Sequence, residues 1–230
     1  MPAYEEADNL VILLPKLREV ATSFGVTFEI VVVDTEQPRD RTPDVCQKEA
    51  VRYVPRHGGP LYGHAIRTAL GQAQGRWVVF MDADGSHNPT FIASLWAARD
   101  SSDLVIASRY VEGGKTENPA VLILMSLMVN ISFRLVLGLR CYDVSNSFRL
   151  YRCDDLRALQ LNCNNFDIVE EILVKLAMAH PDYRLKEIPF VFEKRKAGKT
   201  KRNLFLFSIG YVVTLARLVK MKYEASGRRS

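Results

Sequence analysis

The stretch Trp77-Val-Val-Phe-Met-Asp82-Ala-Asp84-Gly-Ser-His-Asn-Pro89 decides the fold class. An apolar, β-branched run ends in two carboxylates one residue apart, and a turn with Gly85, Asn88 and Pro89 follows at once. The pattern predicts a buried strand delivering two acids to its carboxyl end, where open α/β sheets bind ligands. Oxygen ligands in that position suit Mg²⁺ or Mn²⁺ better than zinc. A divalent ion held there grips phosphates, which points to an enzyme acting on a nucleotide-linked substrate. A chance Asp-x-Asp in a surface turn is the competing reading; the strand before it and the turn after it favour the metal.

Outward from this segment, strands and helices alternate. Helical spacing of Leu10, Leu13, Leu14, Leu17, Val20, Ala21 and Phe24 predicts a helix over 7–24, and Phe28 to Val33 reads as a strand ending at Asp34. Thr35 to Asp44 reads as loop, Val51 to Val54 as a short strand and Tyr62 to Gln74 as a helix. A helix from Pro89 to Arg99 starts with a proline suited to its first position, and Leu104 to Ala107 is a further strand running into Ser108-Arg109-Tyr110. Such alternation predicts a mostly parallel central sheet flanked by helices. The second half is less regular.

The chain has 230 residues, 48% hydrophobic and 25% charged, with a formal net charge of +5. That allows one large domain, or one domain plus an appendage. Basic residues crowd the C-terminal part, from Lys194 to Arg202 and from Arg217 to Arg229. They suit nucleic acid, an anionic membrane, a phosphorylated substrate or simply a solvated surface; no recognisable nucleic-acid-reading module supports the first. Cys46, Cys141, Cys153 and Cys163 have neither zinc-finger nor Cys-x-x-Cys spacing, so a reduced compartment is expected. No basic-then-apolar leader pattern is seen, and secretion is not expected. Ala120 to Phe133 and Leu204 to Ala216 are uncharged runs, each short of the roughly 18 apolar residues of a spanning helix. Each is a core helix or an interfacial one. The basic clusters bracketing Leu204 to Val219 favour the interface there.

Other polar residues can carry chemistry. Asp34 at a strand end can accept from a base or ribose, or cap a turn. Arg109, Ser145-Asn-Ser-Phe-Arg149 and Arg195-Lys-Ala-Gly-Lys-Thr-Lys201 offer arginine forks and lysine point charges for phosphate. The last segment lacks P-loop spacing. His87 sits beside the acid pair; no histidine forms a triad with a serine or cysteine.

In this order these motifs resemble family 2 glycosyltransferases, specifically the polyprenyl-phosphate (dolichol-phosphate) hexosyltransferase group. Pro2-Ala-Tyr4-Glu-Glu6 matches the family's opening and Val31-Val-Val-Asp34 its second strand. Asp82-Ala-Asp84, Ser108-Arg109-Tyr110, Asp143 through Phe148-Arg149, Phe166 with Glu170 or Glu171, and Arg195-x-x-Gly198-x-Thr-Lys201 continue the match over nearly the whole chain. The resemblance implies a GT-A fold, a GDP- or UDP-linked sugar donor, Mg²⁺ or Mn²⁺, and inverting transfer to polyprenyl phosphate at the cytoplasmic face of a membrane. It implies that Pro2, Tyr4, Glu6 and Asp34, with Asp82, line the nucleotide pocket. It assigns the metal to Asp82, Asp84 and Ser86, and phosphate contacts to Arg109, Ser126, Arg149, Arg195 and Lys201; Asp82, Asp84, Arg109 and Arg149 form the catalytic set. An ionised phosphate acceptor needs no base. Residues 1–202 are expected to form the catalytic domain, with 119–139 a second interfacial candidate, and 203–230 an amphipathic surface helix and basic tail. A membrane-protein partner or homo-oligomer is a further expectation; nucleic acid is not.

The departures are specific. The family's Asp-Asp-Gly-Ser-x-Asp-Gly-Thr loop reads Asp34-Thr-Glu-Gln-Pro-Arg-Asp40-Arg-Thr42, Glu5 replaces an Asn, and Leu122 stands where an acceptor-phosphate Arg often lies. The chain opens at the end of the family's first strand, so compensation there or a truncated gene model is expected. Two other readings stay open: transfer to a hydroxyl with Asp143 as base, and a nucleotide-binding regulatory relative with weak catalysis.

Overall fold

A computed structural model describes residues 1–180, 182–193 and 204–227, the last with side chains at 210–224. Strand β1 (Val31–Asp34) pairs in parallel with β2 (Arg52–Pro55). Met1 to Ala3 run alongside β1, with the Val33 N–H donating to Met1 O and the Ala3 N–H to Val33 O, both 2.8 Å. A second sheet has the order β3 (Trp77–Phe80), β6 (Arg149–Arg152), β4 (Leu104–Ser108), β7 (Leu185–Pro189). Strands β4 and β7 are parallel, while β6 runs antiparallel to both β3 and β4. A short parallel pair joins β5 (Lys115–Thr116) to β8 (Val191–Phe192).

Because side chains alternate along a strand, the sheets feed two cores. Val33, Phe80, Leu104 and Ile106 pack on one face against α3 (Tyr62–Gln72), α5 (Ala120–Leu137), α6 (Cys153–Arg157) and α7 (Ile168–Ala179). Val32, Met81, Val105 and Leu150 pack on the other against α1 (Ala7–Thr22), α2 (Thr42–Lys48) and α4 (Ile92–Ala97). This double burial explains the uninterrupted apolar runs that mark β1, β3 and β4 in sequence.

The structure departs from the sequence reading in local ways. The loop expected over 35–44 turns into α2 at Thr42, because Asp40 caps it: its carboxylate accepts the Thr42 N–H (2.9 Å) and, on its other oxygen, the Ala7 N–H of α1 (2.9 Å). Burial would raise the Asp40 carboxyl, but these amides, the Thr42 hydroxyl and Arg41 outweigh it and hold it below the usual range. The helix expected from Pro89 begins as a 3-10 turn, Pro89–Phe91, capped by the Asn88 side chain accepting the Thr90 N–H. Glu5 has φ +56°, in the left-handed region that an Asn at this position adopts more readily.

Helix α5 runs past Arg134 and is 18 residues long, enough by length and composition to cross a membrane. Its two sides differ sharply. Asn130, Phe133 and Leu137 are buried, whereas Val121, Leu124, Met128, Ile131 and Leu135 are 53–74% exposed. Their alternating spacing of three and four places them on one stripe. Helix α8 (Leu204–Gly227) packs on α5 and α7: the Tyr211 ring meets Phe133 edge-on, Thr214 bonds Asp167, and Lys222 Nζ donates to Leu137 O at 2.7 Å. Among the side chains described on α8, Val212, Val213 and Tyr223 are exposed and apolar.

Candidate active site

Strands β3 and β4 run in the same direction, so Asp82 and Arg109 both follow carboxyl ends on one edge of the sheet. Antiparallel β6 begins at that edge, with Arg149 opposite both Phe80 and Ile106. The preceding segment therefore enters between the acids and Arg109. Asp82 and Asp84 are half-buried and flank buried Ala83, and Gly85 takes φ +79° to turn the chain back.

Hydroxyls hold the two carboxylates. Asp82 accepts from Tyr62 Oη (3.2 Å) on one oxygen and from Ser147 Oγ (3.1 Å) on the other. Asp84 Oδ1 accepts the Ser86 N–H (3.0 Å) and Ser86 Oγ (2.5 Å). The Asp82 N–H donates to Nδ1 of His87, a fully buried ring stacked on Phe148 at 4.7 Å. Nδ1 thus acts as an acceptor, and burial lowers the His87 pKa. The donor set fits a hard divalent cation. It is all oxygen, and among the described residues no three His, Cys, Asp or Glu gather as a self-sufficient cluster. Mg²⁺-type sites commonly take one or two carboxylates and complete their shell with substrate phosphates and water.

Asp34 ends β1 nearly buried. Its Oδ2 accepts from Tyr53 Oη at 3.4 Å, and its Oδ1 has no partner among the described residues, as suits a ligand-facing acceptor. Burial raises its pKa. Pro2 bridges Val33 beside it, Glu6 accepts from Asn9 Nδ2 (2.6 Å), and Tyr4 lies under the Arg39 guanidinium at 5.3 Å. Arg56, which the sequence did not single out, staples this corner by donating to the carbonyls of Asp34, Pro60 and Ala3.

Arg109 is gripped by Asp143. Nε donates to Oδ2 (2.8 Å), Nη2 to Oδ1 (2.7 Å), and the Arg109 N–H also to Oδ2 (2.9 Å). Nη2 reaches Ser145 Oγ at 2.8 Å and Ser126 Oγ of α5 at 3.5 Å. Nη1 has no hydrogen-bond partner among the described residues. Asp143 is fully buried and further accepts the Asn146 N–H (3.1 Å). Glu187 of β7 supports the arrangement, accepting the Tyr142 N–H (2.7 Å), the Asp143 N–H (2.9 Å) and Ser108 Oγ (2.7 Å).

Arg149 is not at the phosphate-facing edge that the sequence suggested. Its side chain is fully buried behind the site, where Nη2 donates to Val144 O (2.7 Å) and Asp143 O (3.3 Å) and Nη1 to Val169 O (3.3 Å). It points into the core beneath α7 and pins the Asp143 loop. Ser86 directs its hydroxyl at Asp84. Arg195 and Lys201 lie outside the described residues; the chain approaches them from Glu193, whose N–H donates to Ser86 O at 3.4 Å. Tyr62, Ser145, Ser147 and Glu187 had no sequence signal that assigned them, although both serines fall in the quoted Ser145 to Arg149 stretch.

Glu170 of α7 is fully buried, and neither carboxylate oxygen has a hydrogen-bond partner among the described residues. Burial pushes its pKa up to about 8. The folded state therefore holds a proton that the unfolded state releases above about pH 4.3. This contribution is fully present below that pH and is lost as pH rises through about 8. Glu170→Gln is expected to flatten the fall in stability over that window, worth on the order of 5 kcal/mol, in urea titrations at stepped pH.

Solved structures and sequence relatives agree on the frame. Glucosyl-3-phosphoglycerate synthase from Mycobacterium tuberculosis, in complex with Mn²⁺, UDP and glucosyl-3-phosphoglycerate, superposes with a TM-score of 0.73 at 17% identity, covering 95% of this chain and 78% of that chain. Its complex with Mg²⁺ and UDP gives the same TM-score at 18% identity. At such identity the likeness shows the fold, which is GT-A. Undecaprenyl-phosphate mannosyltransferase of Micrococcus luteus is 31% identical over 221 residues, 88% of this chain and 86% of the relative. Dolichol-phosphate mannosyltransferase of Pyrococcus furiosus is 32% identical over 97% of this chain and 64% of its own length. The family model described as glycosyl transferase family 2 matches residues 1–160, most of the chain and the whole span from Pro2 through the acid pair to Arg149. The chain belongs to glycosyl transferase family 2.

Proposed function

We propose that the protein transfers a hexose from a nucleotide sugar to a polyprenyl phosphate, at the membrane surface on its cytoplasmic side, with inversion. Mannose is the sugar that the relatives' names give. The observation that carries this reading is the two-sidedness of α5. One side brings Ser126 to Arg109, and the other exposes the apolar stripe from Val121 to Leu135. An anionic head and a hydrocarbon tail are the two halves of a prenyl phosphate, and α5 meets each with a matching face. Residues 1–202 form the catalytic unit in this reading, and 203–230 its surface-bound helix and tail.

Asp82 and Asp84 would hold Mg²⁺ or Mn²⁺ between them and the donor diphosphate, with Ser86 fixing Asp84. When bound, the ion neutralises the leaving nucleoside diphosphate. Asp34 receives donors from base or ribose beside Pro2, Tyr4 and Glu6. Arg109 offers Nη1 to the acceptor phosphate, while Asp143 holds its fork rigid. Arg149 acts one layer back, by holding the Asp143 loop. Arg195 and Lys201 follow Glu193 and supply further cations.

The geometry disfavours Asp143 as base for a hydroxyl acceptor. Both its oxygens are committed to Arg109 and to backbone amides, and it has no exposed surface. A panel of GDP- and UDP-sugars with Mn²⁺ and undecaprenyl or dolichyl phosphate, read as label moving into the lipid extract, tests the reading. Transfer only to water-soluble hydroxyl acceptors would refute it. Replacing both Leu124 and Leu135 by Glu is expected to weaken binding to anionic vesicles by about tenfold per side chain, read by co-sedimentation. Unchanged binding would remove α5 from the membrane contact.

A further inference from the structure

Resting on the reading of Asp82 and Asp84 as the donor–metal site, we infer that α8 tunes this acid pair from behind. The route is the segment 162–167, and it makes Tyr62, Asp167 and Thr214 positioning residues. Three contacts in series link them. Thr214 of α8, 1% exposed, donates its hydroxyl to Asp167 Oδ2 at 2.6 Å, and Arg217 Nη2 reaches the same oxygen at 3.5 Å. Phe166, the preceding residue, stacks on the Tyr62 ring with centroids 3.9 Å apart and planes 14° apart. The Tyr62 hydroxyl donates to Asp82 Oδ1 at 3.2 Å.

The segment between these contacts has little slack. Glu171 accepts the N–H groups of Asn162 and Cys163 (2.8–3.0 Å), and Arg67 donates to Cys163 O and to Asn164 Oδ1. The Gly63 N–H donates to Asn164 O at 2.7 Å, and a Cβ at Gly63 would come within 2.4 Å of Cys163 O. Packing this tight transmits a displacement because neighbouring groups cannot absorb it. Helix α8 packs on α5 through Tyr211 against Phe133 and Lys222 on Leu137 O, so a surface that seats α5 also loads Asp167. The product of that coupling is a better-held Asp82, and hence a donor–metal complex that forms more readily when the protein is docked.

Binding of UDP and GDP in the presence of Mn²⁺, followed by calorimetry and by the Mn²⁺ paramagnetic resonance signal, tests this away from turnover. Thr214→Val keeps the side-chain shape and removes only the hydroxyl. It is expected to weaken the nucleotide–Mn²⁺ complex about threefold to tenfold, with Thr214→Ser restoring wild-type affinity. Tyr62→Phe should give a loss of the same order. If Thr214→Val does not fold, half-exposed Arg217→Gln decides: a smaller loss supports the coupling and none overturns it. Wild-type affinity in a folded Thr214→Val protein overturns the inference while leaving the site intact. A wild-type protein that binds neither nucleotide overturns the site reading itself, and the inference with it.

Discussion

Transfer by the Asp84→Asn protein is expected to fall about a thousandfold, with the fold intact. The amide keeps an oxygen to accept from the Ser86 N–H and hydroxyl, as Asp84 Oδ1 does now. What it loses is the charge. With two carboxylates proposed to hold the ion, removing one halves their negative charge toward a divalent cation, and the leaving diphosphate loses most of its neutralisation. Initial rates at saturating Mn²⁺, with urea unfolding as the control, check this. A variant that unfolds like wild type and turns over at the wild-type rate would refute a metal role for the pair.

The second large effect is expected at Asp143, and it is one of stability. Asp143→Asn replaces one oxygen of a fork that takes Arg109 at 2.7 and 2.8 Å, inside a site where the two side chains are 0% and 9% exposed. An NH₂ group then faces a guanidinium, and a buried cation loses its partner. Breaking a buried pair in this way costs about 3–5 kcal/mol. Urea titration should show that loss, with residual transfer by the folded fraction. A catalytic base would behave oppositely, giving an unchanged urea midpoint with abolished transfer. Gly63→Ala should also destabilise, by about 1–3 kcal/mol from overpacking against Cys163 O, and a midpoint shift in the same titration measures it.

The strand-then-acids pattern at 77–84 was legible because it is local. A run of alternating core contacts cannot be interrupted, and carboxylates cannot be buried within it, so the acids mark the strand's end. The same logic placed Asp34 and Arg109. It failed for Arg149 because an arginine at a strand start reads as an edge residue. Only the antiparallel course of β6 turns its side chain under α7, where four carbonyls or hydroxyls receive it. It also missed α2, whose cap is supplied by Asp40 reaching both α1 and its own helix.

For the membrane-facing element, the flanking charges drew attention to Leu204 to Val219, and the structure adds an exposed apolar stripe on α5 from Val121 to Leu135. Composition reports how apolar a helix is; which of its sides is covered depends on what packs beside it. Sequence by itself determined the α/β class, the acid pair at the end of β3 and the arginine after β4, since each follows from residue type at short spacing. Tertiary structure decided which polar groups are paired, because Asp143 with Arg109, Tyr62 with Asp82 and Thr214 with Asp167 are brought together across 20 to 47 positions of chain only by tertiary packing.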